Sequence, residues 1–322
     1  MGDSARKWIA FAVKAVVTAG LIWLVLRGVD LGAALARMAG LSLSAAIMSV
    51  LLLMLHCFVA GWRWRMIMRL FGPALPPRAS IRLFFEGYFF NNALPSTIGG
   101  DGVRIYRAHR LGLPLAASVN GVLLDRVTGL TGLFILVAIG QPLLYAHVED
   151  TSTRLAFAAI LLAGAGGIAT LILARRIPDR MVPAGLREGL HKLSEATHAA
   201  YLHPAVSLPV LGLSVVVHGL IVASVYVIAV GLGLDIGLFE SLVLVPAVIL
   251  LSTIPVSIGG WGLREGLMVV ALGLAGVPAD AALSVSILFG LAQIAAGLPG
   301  GAFWLTAGGR DPAPGSDNQD AN

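Results

Sequence analysis

Two short stretches carry residues suited to holding an anion inside an apolar chain. Leu94 to Arg104 reads LPSTIGGDGVR and Ile254 to Arg264 reads IPVSIGGWGLR, and they align without a gap at an offset of 160 residues. Pro95, Ile98, Gly99, Gly100, Gly102 and Arg104 match Pro255, Ile258, Gly259, Gly260, Gly262 and Arg264, six identities in eleven positions. A proline followed by clustered glycines ends one helix and starts the next. The new helix begins with backbone N–H groups that lack internal partners and with a partial positive charge. Glycine lets a ligand approach, and the arginine fork is shaped for phosphate. An arginine in the first helical turn opposes the dipole, so Arg104 and Arg264 need a compensating anion. Either Asp101 and Glu265 supply it internally, or two helix starts and two guanidinium groups face one cavity and hold a phosphate. No Lys-Ser or Lys-Thr follows the glycines, so neither stretch is a nucleotide loop.

Other polar residues fall at comparable depth. Asp125 and Arg126 lie inside an apolar run, where they form an ion pair within the bundle, hold a headgroup or move protons. Glu86 precedes Asn91 and Asn92 by one to two helical turns; it is a proton carrier or satisfies backbone freed by Pro95. His56, His218, Tyr226 and Gln293 are single polar residues on apolar segments and read as interhelical hydrogen-bond partners. Their spacing supports no metal site, no catalytic constellation is identifiable, and no cofactor is expected. Cys57 is the single cysteine, which excludes an intrachain disulfide framework.

These residues need a membrane scaffold to position them. With 57% hydrophobic and 12% charged residues and a mean hydropathy of +0.88, the chain has too little polar surface for a soluble globule of 322 residues. Its net charge of +5 reflects topology rather than nucleic acid, for no RNA-binding or zinc-finger motif accompanies it. Apolar spans are expected at 8–26, from 41 past 60, 115–145, 155–174, 205–232 and 279–306. Trp62, Arg63, Trp64, Arg65 and Arg69 read as an interface anchor, and 175–203 as a polar connector lying partly along the membrane surface. Around each Gly-rich stretch sit two half-length helices, 80–93 with 101–111 and 238–251 with 261–274, which describe re-entrant hairpins. The expected fold is therefore all-α: two inverted repeats, 5–147 and 152–308, each of three spans and one hairpin, with a disordered tail at 309–322. Of the 22 basic residues, sixteen fall on the side of the N-terminus, four (Arg27, Arg37, Arg154, Arg264) on the other, and two (Lys14, Arg126) within spans. That bias places both termini in the cytoplasm.

The combination NNALPSTIGGDGVRIYR at 91–107, LLDRVTGL at 123–130 and IPVSIGGWGLREG at 254–266 resembles the flippase-like transmembrane region of the lysylphosphatidylglycerol synthase family, also called the UPF0104 proteins. The resemblance covers about residues 5 to 308 and implies lipid translocation in a bacterial inner membrane. It maps the family's Gly-rich motif onto Pro95, Gly99, Gly100, Gly102 and Arg104. Its acidic-Arg pair, commonly Glu-Arg, falls on Asp125 and Arg126, with Asp one methylene shorter. Bifunctional members carry a soluble aminoacyl-transferase domain after the membrane part; here only a polar tail follows, so synthase activity is not expected. The expected partner is a membrane lipid, an anionic phospholipid or an isoprenoid-linked lipid, with its headgroup between the hairpin tips. The alternatives are a membrane-embedded enzyme modifying a lipid headgroup and a non-catalytic partner of a lipid-biosynthetic enzyme. No ATP-binding motif is present, so a proton, the membrane potential or the lipid gradient would drive movement.

Overall fold

The computed structural model describes residues 16–72, 74–93, 99–147, 150–176, 184–254, 257 and 260–307. The first half of the expected first span, Lys14, the motif residues Pro95, Ile98, Pro255, Ile258 and Gly259, and the tail lie outside the described residues. The described residues form helices and turns with no strand. In chain order the helices are α1 (Val16–Arg27), α2 (Leu31–Ala39), α3 (Leu43–Met68), α4 (Pro77–Ala93), α5 (Gly99–Arg110), α6 (Leu115–His147), α7 (Thr151–Leu173), α8 (Ala184–Leu202), α9 (Pro204–Gly231), α10 (Leu238–Ser252), α11 (Leu263–Gly273) and α12 (Ala279–Ala307).

Local chemistry sets these boundaries. The Asp30 side chain accepts from the Ala33 N–H and the Ser42 hydroxyl from the Ala45 N–H, which starts α2 and α3. Leu43–Phe71, Leu115–Pro142, Pro204–Gly231 and Ala279–Thr306 are long and apolar enough to cross a bilayer, and α1 with α2 makes a fifth candidate bent by 88°. The remaining expected span corresponds to α7, a 23-residue helix that contains the apolar stretch Leu161–Leu173. The expected surface connector contains α8, which buries Ala196 and Ala200 against Ile67, Leu124 and Val210.

The hairpins are present as helix pairs, α4 on α5 and α10 on α11. Each packs across onto the other half of the chain, α4 on α12 and α10 on α6. Likewise α3 meets α12 as α9 meets α6, α2 meets α12 as α8 meets α6, and α3 and α9 meet each other. Exchanging the first six helices for the last six therefore maps each of these contacts onto another. Gly140 and Gly300, again 160 residues apart, permit the crossed contacts: a Cβ on Gly300 would lie 2.0 Å from the Phe85 carbonyl oxygen, and one on Gly140 3.2 Å from the Val243 Cα. The anchor expected at Trp62 to Arg69 divides instead. Trp62 is exposed, whereas Arg63 and Trp64 are buried, because α3 continues unbroken to Met68 and its His56, Ala60, Arg63, Ile67 stripe faces the bundle.

Candidate lipid-headgroup site

In the first hairpin α5 starts at Gly99, and the Asn91 side chain at the end of α4 accepts the Gly100 N–H at 2.9 Å. A Cβ on Gly100 would sit 1.8 Å from the Gly87 carbonyl oxygen, so glycine lets the two backbones touch. Asp101 is thereby fixed in the first turn of α5, and Arg104 one turn later donates to it at 2.8 Å. The other terminal nitrogen of Arg104 reaches Asp125 of α6 at 2.9 Å. The second oxygen of Asp125 accepts from Arg63 of α3 at 2.9 and 3.1 Å, and Arg63 also donates to the Ser214 hydroxyl at 3.0 Å. Arg126 binds the second oxygen of Asp101. The Arg104 guanidinium lies 5.3 Å from the centre of the Trp64 ring and 4.9 Å from that of Phe84. Three guanidiniums thus share two carboxylates, and four of the five side chains are buried. Burying the carboxylates is tolerable because each oxygen is met by a cation.

The second hairpin fixes its arginine differently. Gly262 takes φ +84°, and its N–H donates to the Glu265 carboxylate three residues on, so α11 starts only at Leu263. The other Glu265 oxygen accepts from Arg264 at 2.7 and 3.1 Å and from the Ser286 hydroxyl at 3.2 Å. Arg264 also donates to the Gln293 side chain at 2.8 Å and stands over Trp261 and Phe289, 4.8 and 5.7 Å from the ring centres. This group carries one positive and one negative charge.

Between the hairpins lie two cavities, of about 200 and about 290 Å³. Gly260 and Arg264 line the smaller; Arg63, Asp101, Arg104, Asp125, His56 and His218 line the larger. Tyr88, Asn91, Arg126, Ile249, Thr253 and Gln293 belong to both walls, so the cavities adjoin and the two hairpin ends face one hollow. Polar groups converge on it from α3, α4, α5, α6, α9, α10 and α12 within apolar surroundings, the usual form of a small-molecule site.

A family model described as the lysylphosphatidylglycerol synthase TM region matches residues 11–301. The chain belongs to this family. It is also 22% identical over 254 residues to a UPF0104 membrane protein of Methanothermobacter thermautotrophicus, an alignment covering 70% of this chain and 72% of the relative. As a lysylphosphatidylglycerol synthase TM region, the chain is a multi-pass membrane protein with a lipid-related role.

Within this family member the residues singled out from the sequence divide by position. Arg104, Asp101, Asp125, Arg126, Arg264, Gly260 and Asn91 line the hollow, and Glu265 backs Arg264. Asn92 lines the smaller cavity while donating to the Tyr88 carbonyl at 2.9 Å. Gly100 and Gly262 have structural tasks, since their N–H groups are already bonded to Asn91 and Glu265. Gly99 opens α5, and Gly102 is exposed with nothing among the described residues within 4 Å of an added Cβ. Glu86 is not among the residues that line either cavity: it is fully buried and accepts from Arg82 at 3.0 Å and Arg107 at 3.1 Å. Asp125 and Arg126 pair with residues of other helices rather than with each other, because adjacent helical residues point about 100° apart. Sequence reading missed Arg63, hidden by its place among interface-type residues; the spacing of His56, Ala60 and Arg63 on one helical face is the signal for it. Among the described residues no His, Cys, Asp and Glu cluster could hold a metal ion.

Proposed function

We propose that this protein is a lipid translocase that takes an anionic headgroup into the hollow between its hairpins and passes it from one leaflet to the other. The observation that carries the reading is the excess of cations: apolar helices surround a polar chamber whose guanidinium groups outnumber their carboxylates. A charge-assisted phosphate contact there is stronger than in water because the apolar surroundings lower the local dielectric. Phospholipids and isoprenoid-linked phosphates both present such an anion beside chains that remain in the bilayer. The exchange of equivalent contacts between the halves supports rocking of one against the other. In this reading the halves are inverted across a bacterial inner membrane, and the bias of basic residues in the sequence puts both termini in the cytoplasm.

The test is reconstitution into liposomes with short-chain fluorescent phosphatidylglycerol and a membrane-impermeant quencher. Wild-type protein should expose inner-leaflet lipid well above the protein-free rate. Arg126→Gln should slow it about 10- to 100-fold, the loss expected for one charge-assisted contact. Asp101 keeps Arg104 in that variant, so a monodisperse elution profile is expected. Wild-type traces that overlay protein-free liposomes would remove the transport reading.

A further inference from the structure

The charges around the hollow restrict the headgroup further than "anionic". Arg63, Arg104, Arg126 and Arg264 face it, against Asp101 and Asp125 in its walls and Glu265 behind Arg264. Counting both histidines as uncharged, the ordinary form of imidazole above neutral pH, four cations meet three anions among the described residues. Inside a bilayer an uncompensated charge is expensive, so the occupied state is most stable when the guest brings the one missing negative charge. A phosphodiester carries one; a terminal phosphomonoester carries close to two at neutral pH and above. The place of the guest follows from the walls. Among the described residues Arg126 is the one charged side chain shared by both cavities, and at 37% exposed it is the most accessible of the network's cations. It is attached to Asp101, which has Arg104 as a second partner. Arg126 can therefore turn toward a guest in either cavity without stranding a carboxylate.

Resting on the transport reading, we infer that the substrate is a singly charged phosphodiester lipid and that Arg126, at the junction of the two cavities, is the residue that hands its phosphate from one to the other. Selectivity in this arrangement is set by net charge. Removing one cation brings the site to neutrality and favours a zwitterionic headgroup. Adding one favours a doubly charged headgroup.

The experiment compares three fluorescent lipids that share acyl chains: phosphatidylglycerol with one negative charge, phosphatidic acid with close to two at about pH 9, and phosphatidylcholine with none net. Full-length protein in liposomes should move phosphatidylglycerol about tenfold faster than either of the others, the ratio that corresponds to roughly 1.4 kcal/mol. Arg126→Gln should lower that rate and bring phosphatidylcholine level with it or ahead. Asp101→Asn should shift preference toward phosphatidic acid; if it fails to fold, Thr253→Lys, which adds a cation to both walls and leaves every ion pair of the network in place, should do the same. Equal rates for all three lipids, a wild-type preference for phosphatidic acid, or an order unchanged in folded charge variants would overturn the inference. Should no lipid move faster than in protein-free liposomes, the transport reading fails, and thermal stabilisation of detergent-solubilised protein by dioctanoyl lipids decides the rest. Stabilisation specific to phosphatidylglycerol and lost in Arg126→Gln would uphold the charge inference as a binding property, and its absence would overturn that too.

Discussion

The two hairpins place equivalent arginines beside one hollow and secure them in different ways. Arg104 sits in a shared network, in which Asp101 and Asp125 each have a second guanidinium. Arg264 sits in a closed pair with Glu265, completed by Gln293 and Ser286. The divergence traces to position 101 and its equivalent 261. Asp101 favours the electropositive end of a helix, so α5 winds from Gly99 onward. Trp261 offers no such charge, and α11 begins later, where Glu265 caps Gly262. The first hairpin is redundant and cation-rich, so it can release a contact to a guest; the second is neutral and self-contained, a wall against which the first works.

The largest expected effect separates the two arginines and runs against intuition. Arg264→Gln leaves Glu265, 5% exposed, with no cation among the described residues, and should cost about 3–5 kcal/mol. Arg104→Gln leaves Asp101 with Arg126 and Asp125 with Arg63, and should cost about 1–3 kcal/mol. Thermal unfolding in detergent would rank them. The double variant Arg264→Gln, Glu265→Gln should recover much of the loss, because the stranded charge goes with its partner. Equal costs for the two single variants would show that the networks are not differently buffered.

A smaller effect tests how the first hairpin closes. Gly100→Ala drives a Cβ into the Gly87 carbonyl, where neither backbone can swing aside, and should cost roughly 3 kcal/mol with loss of folded yield. At the equivalent Gly260 an added Cβ would come no nearer than 4.0 Å to any described residue, and glycine there is required by its φ of +80°. Gly260→Ala should therefore cost about 1–2 kcal/mol. Retention of folded Gly100→Ala protein at wild-type levels would contradict the close backbone contact.

How much of this was written in the sequence depends on the range of the interaction. The all-helical class, the four long spans and the two broken helices follow from apolar runs and from Pro and Gly, which act locally. The 160-residue repeat placed Arg104 and Arg264 as equivalents, and the wall of the hollow contains both. The partners were less legible. Asp125 joins Arg63 across 62 positions and Arg104 across 21, and neighbouring charges in the sequence suggested Asp125 with Arg126 instead. Glu86 reads from the sequence as a proton carrier or a partner for backbone freed by Pro95, whereas Arg82, four residues earlier on the same helical face, and Arg107 of α5 hold its carboxylate. The gapless alignment also hid the later start of α11. The Gly262 to Glu265 spacing, a cap with an acid three residues on, was the available signal.

The finest distinction between the hairpins is a difference in sign at one aligned pair. Gly102 lies within α5, exposed and with no described residue within 4 Å of where a Cβ would go, so glycine there only adds disorder to the unfolded chain. Gly102→Ala should raise stability by about 0.5–1 kcal/mol, the usual gain for alanine over glycine in a helix. Gly262 has φ +84° and abuts α1, where an added Cβ would lie 2.9 Å from the Leu21 Cβ and 3.2 Å from the Thr18 carbonyl oxygen. Gly262→Ala should lower stability by about 1–2 kcal/mol. Opposite shifts of the melting temperature would follow from two conformations of one motif. Shifts of the same sign would mean that both glycines sit in helix, and the neutral, capped character of the second hairpin would then need another origin.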